Sequence, residues 1–153
     1  MSTIKVIAIG KKHESWITEG IDRYSKRLRT PWSLEWVLLP HSAREGIAAR
    51  SEETERIMNK LNDRDYVMLL DERGKLLDSP TLSRHLEDAQ QSARQIVLII
   101  GGAYGVDEAL TARADLVWSL SPLVFPHQLV RLILAEQLYR AQEIALGNPY
   151  HHE

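Results

Sequence analysis

Apolar positions along this chain change period repeatedly, and each change marks an element. Ile4 to Ile9 (IKVIAI) is β-branched, nearly continuously apolar and ends at Gly10, the pattern of a buried strand. Ser15 to Leu28 switches to a helical period, with Trp16, Ile17, Ile21, Tyr24 and Leu28 on one stripe, Ser15 as N-cap and Thr30-Pro31 as the stop. Leu34 to Leu39 is a second strand, closed by Pro40. Arg44 to Leu61 is a charged helix whose thin apolar stripe is Ile47, Ile57, Met58 and Leu61. Asp65 to Asp71 is a third strand followed by a turn at Glu72 to Lys75, and Ser79-Pro80 caps the next helix. Ile96 to Ile100 is a fourth strand, running straight into Gly101-Gly102-Ala103-Tyr104-Gly105. Asp107 to Ala114 is a short helix, and Leu116 to Leu120 a fifth strand. Alternating strands and helices predict one α/β domain over residues 1–153, a mostly parallel sheet flanked by helices.

The last helix, Gln128 to Ala145, does not fit the one-stripe pattern. Leu129, Val130, Leu132, Ile133, Leu134 and Ala135 run almost all the way round it, interrupted early only by Arg131. A helix apolar on several sides is buried on several sides. A sheet covers one of them, so another layer or a second subunit is expected on the rest. A loop with Pro122 and Pro126 precedes the helix, and the polar tail Asn148 to Glu153 follows it. Rigid loop, over-buried helix and tail together predict a site at an interface.

Composition narrows the partners. The 44% hydrophobic and 26% charged shares over 153 residues are those of a water-soluble domain. The longest apolar run is of strand length, no signal peptide is visible, and there is no cysteine, so a cytoplasmic protein without membrane, disulfide or thiolate metal site is expected. Lys+Arg total 19 against 21 Asp+Glu, a net charge of −2, so the global basic excess of a typical nucleic-acid binder is missing. The charge is nonetheless uneven: Lys11, Lys12 and His13 cluster after the first strand, and Arg23, Lys26, Arg27 and Arg29 follow on or beside the first helix.

Ligands of parallel sheets bind at the carboxyl ends of the strands. Three such ends carry suitable residues: Leu70-Asp71, Gly101-Gly102-x-x-Gly105, and Leu120 to Phe125. No Gly-Lys-Ser/Thr follows the glycines, their spacing is not that of a dinucleotide fingerprint, and no G-x-S-x-G elbow is present. Adjacent His151 and His152 do not by themselves make a metal site. Glu136 and Arg140 stand at i, i+4, the spacing of a helix salt bridge. Arg131, a guanidinium in an apolar stretch, calls for an anion from protein or ligand.

Several stretches then coincide with a known family. Ile99-Ile100-Gly101-Gly102-x-x-Gly105, Trp118-Ser119-Leu120-Ser121, Phe125-Pro126-His127-Gln128-Leu129-x-Arg131, Glu136-Gln137-x-Tyr139-Arg140-Ala141 and Pro149-Tyr150-His151 stand in the order and spacing of the ribosomal RNA large-subunit methyltransferase H family, in the SPOUT superfamily of knotted methyltransferases. The N-terminal Ala8-Ile9-Gly10-Lys11 fits as well, so the resemblance spans the chain. It implies a C-terminal trefoil knot, a homodimer, and methyl transfer from S-adenosylmethionine to N3 of a pseudouridine in 23S ribosomal RNA of the large subunit or assembled ribosome. It also implies cofactor contacts at Leu70, Gly101, Leu120, Ser121, Pro122, Leu123, Val124 and Phe125, which are the strand ends already singled out. Members usually carry Arg or Lys after the Tyr-His of the tail, where this chain has His152; a neutral imidazole does not replace a guanidinium as a phosphate clamp.

For such a reaction the protein must align the methyl with the nitrogen and assist loss of a weakly acidic N3–H. His127, Arg131, Glu136, Tyr150 and His151 are the candidates, with no base assigned among them and no metal required. Two rival readings keep the same fold: a non-catalytic ribosome-binding or assembly factor, and a knotted methyltransferase of transfer RNA.

Overall fold

Strands and helices alternate throughout the computed structural model, which describes residues 2–152, Ser2 by its backbone alone. The order is β1 (Ser2–Ile9), α1 (Ser15–Ser25), β2 (Trp32–Leu39), α2 (Gly46–Met58), β3 (Tyr66–Leu76), α3 (Ser79–Gln91), β4 (Ile96–Ile100), α4 (Glu108–Arg113), β5 (Leu116–Ser119) and α5 (His127–Ala145). The strands form one sheet in the order β2-β1-β4-β3-β5, and every pair is parallel. In register, Ile4 faces both Leu34 and Ile96, and Leu70 faces both Ile100 and Trp118. All carboxyl ends therefore open on one side of the molecule. Glu153, the last residue of the expected tail, lies outside the described residues.

Side chains alternate across the sheet with the period of two that a pleated strand imposes. Val6, Ala8, Met68, Leu98 and Ile100 face α3 and α5, where Leu82, Leu86, Leu134 and Leu138 complete the core. Ile7, Ile9, Val67, Leu69, Val97 and Ile99 face the other way, onto Ile57 of α2 and Leu110 of α4. Helix α5 lies between α1 and α3, so much of its many-sided apolarity is satisfied within one chain. Ala135 packs on Ile17 and Ile21 of α1. On the other flank the Ser83 hydroxyl donates to the Ala141 carbonyl at 2.7 Å. The larger apolar side chains that α5 leaves only half-buried are Leu129, Val130, Leu132, Ile133 and Ile144.

Four local expectations are corrected. Glu14, not Ser15, precedes α1; its side chain caps nothing, and its backbone N–H donates to Gln128 Oε1 at 3.0 Å, a tertiary contact invisible to local pattern. Asp78, not Ser79, caps α3, accepting from the Thr81 N–H at 2.8 Å, with Pro80 in the first turn. Glu72 to Lys75 is no strand terminator: β3 bulges there and resumes, since Leu70 and Lys75 both pair with Trp118. The Asp71 carboxylate accepts from the Arg73 backbone and guanidinium and folds the excursion back, while Gly74 comes so close to β5 that a Cβ would lie 2.6 Å from the Trp118 nitrogen. Ile47 and Trp16, assigned to apolar stripes, are 75% and 54% exposed; α2 buries Ala49, Glu53, Thr54 and Ile57 instead.

Candidate functional site

The carboxyl ends of β3, β4 and β5 enclose a cleft of about 510 Å³, within the roughly 300–1,000 Å³ usual for small-molecule sites. Leu70, Gly101, Leu120, Ser121, Leu123, Val124 and Phe125 line it, seven of the eight expected cofactor contacts; Pro122, exposed in the same loop, does not. The loop is shaped from inside. The Ser119 hydroxyl donates to the Ser121 carbonyl at 2.9 Å, and Ser121 Oγ accepts from the Leu123 N–H at 2.9 Å. Leu123 and Val124 are left 70% and 79% exposed at the mouth, apolar side chains held where only a ligand or partner would cover them.

The glycine loop forms the opposite wall. The Gly105 N–H donates to the Gly102 carbonyl at 3.0 Å, and Gly105 takes a φ of +76° that favours glycine. A Cβ on Gly101 would lie 2.9 Å from Val106 Cγ1. At Gly102 it would collide with Oε1 of Glu53, a buried carboxylate whose other oxygen accepts from the Ser42 N–H at 2.9 Å. Glu53 and Arg50, which also lines the cleft, were missed from sequence; the only signal was a carboxylate in a helix with a thin apolar stripe.

The five catalytic candidates fall into two groups. His127 opens α5 with Nε2 at 2.7 Å from the Gly101 carbonyl, so Nε2 carries the proton and donates. Burial pulls its pKa below the ordinary histidine value, Arg131 and His41 pull the same way, and only the Gly101 contact opposes them. Its ring is therefore neutral near pH 7. Arg131, one turn on, is fully buried. Its Nη1 donates to the Lys11 carbonyl at 2.8 Å and lies 3.2 Å from Nδ1 of His13. The expected anion is not supplied by the protein: Arg131 makes no ion pair among the described residues, and its Nε and Nη2 have no partner. Burial lowers its pKa, yet a guanidinium starts so high that it stays charged.

Glu136, Tyr150 and His151 meet at the other end. Glu136 accepts from Arg140 Nη2 at 2.7 Å, from the Tyr150 hydroxyl at 2.9 Å and from Gln137 Nε2 at 2.8 Å. Arg140 stacks over the Tyr150 ring at 4.7 Å and donates from Nη1 to Nδ1 of His151 at 3.2 Å. Burial, then the bond to Glu136, pushes the Tyr150 phenol up to about 12. The tail thus folds back on its own helix, held by a charged network. Nine residues of helix, about 14 Å at 1.5 Å each, separate this network from His127. The two regions adjoin in space: His151 and His152 line a second hollow of about 560 Å³ beside α3, and Leu120 lies in the walls of both this hollow and the cleft.

The sequence that builds this parallel sheet and its two facing loops matches a known family throughout. The family model described as "Predicted SPOUT methyltransferase" matches residues 2–151, and the chain belongs to that family of methyltransferases. Among curated relatives, a protein of Thioalkalivibrio sulfidiphilus is 44% identical over 98% of this chain and 99% of its own length. Others from Hahella chejuensis (40%, 98% and 99%) and Geobacter metallireducens (42%, 97% and 98%) are similar throughout. Each of the three is named Ribosomal RNA large subunit methyltransferase H.

Proposed function

We propose that this protein is an S-adenosylmethionine-dependent enzyme that methylates N3 of a pseudouridine in 23S ribosomal RNA, acting in the cytoplasm as a homodimer of this one domain. The observation that carries the reading is the cleft at the carboxyl ends of β3, β4 and β5, where a glycine wall and an apolar loop fit a nucleoside-bearing cofactor. Relatives named for ribosomal RNA methylation at about 40% identity over nearly the full chain support the substrate class. A knotted C-terminus is part of the reading: β5 lies at the sheet edge beside β3, yet α5 returns across to the ends of β4 and β1.

S-adenosylmethionine, when bound, supplies a sulfonium methyl that is already electrophilic. The protein's own work is then alignment and charge. His127, neutral and tied to Gly101, fixes the glycine wall against which the cofactor would sit. Glu136 is saturated by three donors, so it positions Arg140 and Tyr150 rather than taking a proton. Arg140 keeps positive charge beside His151 and Tyr150, where it would offset the anion that forms as N3 loses its proton.

The homodimer is supported by a depression of about 590 Å³ between α1 and α5, walled by Trp16, Leu129, Leu132 and Ile133. Leu129, Leu132 and Ile133 are left half-buried by one chain, with exposed Trp16 beside them, and a second copy of the same face would cover them. Sedimentation at micromolar concentration is expected to give twice the chain mass.

The test of function is transfer of a labelled methyl group to assembled ribosomes, free large subunits and transfer RNA in parallel. Labelling of a ribosomal substrate, mapped to a pseudouridine N3, is expected. Labelling of transfer RNA alone would select a different substrate class, and binding of ribosomes without labelling would make the protein an assembly factor.

A further inference from the structure

The basic cluster after β1 has no part in the cofactor cleft, yet it is attached to it. Residues 1–29 carry seven Lys and Arg against three Asp and Glu, while the remainder of the chain is acidic, with 12 against 18. Lys11 and Lys12, at the tip of this segment, are exposed and lie in no ion pair among the described residues.

Their loop is held unusually well for an exposed one. Gly10 donates to the Leu39 carbonyl at 2.8 Å. Arg131 donates to the Lys11 carbonyl at 2.8 Å, Gln128 Nε2 to the Lys12 carbonyl at 3.4 Å, and Gln128 Oε1 accepts from the Glu14 N–H at 3.0 Å. With backbone carbonyls turned inward to α5, the two lysine side chains are left to solvent. Gly10 adopts a φ of +132°, and a Cβ there would press within 3.2 Å of both Arg131 Nη2 and His41 Nε2, so the loop lies flat on the buried guanidinium. The same helical turn supplies His127 to the Gly101 carbonyl. One turn of α5 therefore grips the cofactor wall with one residue and the basic loop with two others.

We propose that the Gly10–His13 loop is a docking site for the substrate RNA's phosphate backbone, with Lys11 and Lys12 as the contacting cations and Gln128 and Arg131 as positioning residues. The proposal rests on the ribosomal RNA reading above. Its physical content is a fixed offset: phosphates seated on a loop tied to the same turn of α5 that holds Gly101 would place the target base relative to the cleft. In a chain with net negative charge, local cations of this kind supply the attraction to RNA phosphate. Buried Arg131 acts indirectly, by holding the Lys11 carbonyl.

The test is equilibrium binding to unmodified ribosomes at several salt concentrations, for wild type, for Lys11→Ala/Lys12→Ala, and for Lys60→Ala/Arg64→Ala. The last pair removes equal charge near the amino end of β3, on the opposite side of the sheet. Loss of Lys11 and Lys12 is expected to raise Kd about tenfold at moderate salt and to reduce the slope of log Kd against log salt by roughly 1.5 to 2. The control pair is expected to change neither by much. Titration of S-adenosylmethionine into the loop variant is expected to match wild type, which separates docking from loss of fold. An unchanged Kd and slope, or equal losses in both variants, would overturn the docking loop while leaving the methyltransferase reading intact. Wild type that neither binds nor labels ribosomes would overturn both.

Discussion

The two ends of α5 use similar side chains in opposite ways. At its first turns His127, Gln128 and Arg131 bind backbone: the carbonyls of Gly101, Lys12 and Lys11. In its second half Glu136 and Arg140 bind other side chains, those of Tyr150 and His151 in the tail. The first kind of contact shapes loops and cannot be broken without remaking them, since orphaned carbonyls are costly inside a protein. The second is a network at a partly open edge whose members can exchange partners with water or ligand. One end is a cradle, the other a latch. A single helix thus carries two separate devices, one gripping loops and one holding the tail.

If that division is right, the largest effect comes from removing the latch. A chain ending at Gly147 is expected to remain a folded dimer and to lose methyl transfer to ribosomes by about a hundredfold, the scale of losing positioned stabilisation of a developing charge. A monomer in sedimentation would instead make the tail structural.

Next is the cradle. Gly101→Val puts branched carbon where a Cβ already meets Val106 at 2.9 Å and where the cleft wall must admit a ligand. Calorimetry on the folded variant is expected to show cofactor binding largely lost; unchanged affinity would move the site elsewhere. Arg131→Ala should cost about 3 kcal/mol in urea denaturation, because it empties a buried volume and strips the Lys11 carbonyl of its donor. Arg131→Met keeps the volume and removes a buried charge that no anion offsets, so it should cost less than half as much.

Smaller effects belong to single latch contacts. Tyr150→Phe removes one hydrogen bond to Glu136 and should cost roughly 1 kcal/mol. The phenol's pKa is raised to about 12, so its contribution is complete below pH 10 and is lost as pH climbs from 10 towards 12; the Tyr150→Phe chain should lack that alkaline loss. The smallest effect is acidic. The pKa values of His127 and His13 are lowered chiefly by burial, so the unfolded chain takes up protons near pH 6.5 before the folded one does. Stability should fall as pH drops below 6.5, and His127→Gln should flatten part of that fall.

The cleft edge was legible because a buried parallel strand reads as an apolar run, and the run breaks at Asp71, at Gly101 and at Ser121-Pro122. That is why the sequence alone points to Leu70, Gly101 and Leu120 to Phe125. Caps were less legible: Glu14 owes its position to Gln128, 114 residues away. The bulge after Leu70 depends on β5 pairing twice with the same stretch, which no local window contains. Arg131 asked for an anion by ordinary rules and found the Lys11 carbonyl instead, so its partner had to come from tertiary structure.

The most direct measurement is a titration of S-adenosylmethionine into the chain ending at Gly147, alongside wild type and Gly101→Val. A cradle that binds and a latch that serves transfer require the tail-deleted protein to bind within a few-fold of wild type and Gly101→Val to bind hardly at all. Loss of binding on deleting the tail, or full binding by Gly101→Val, would contradict that division of labour along α5.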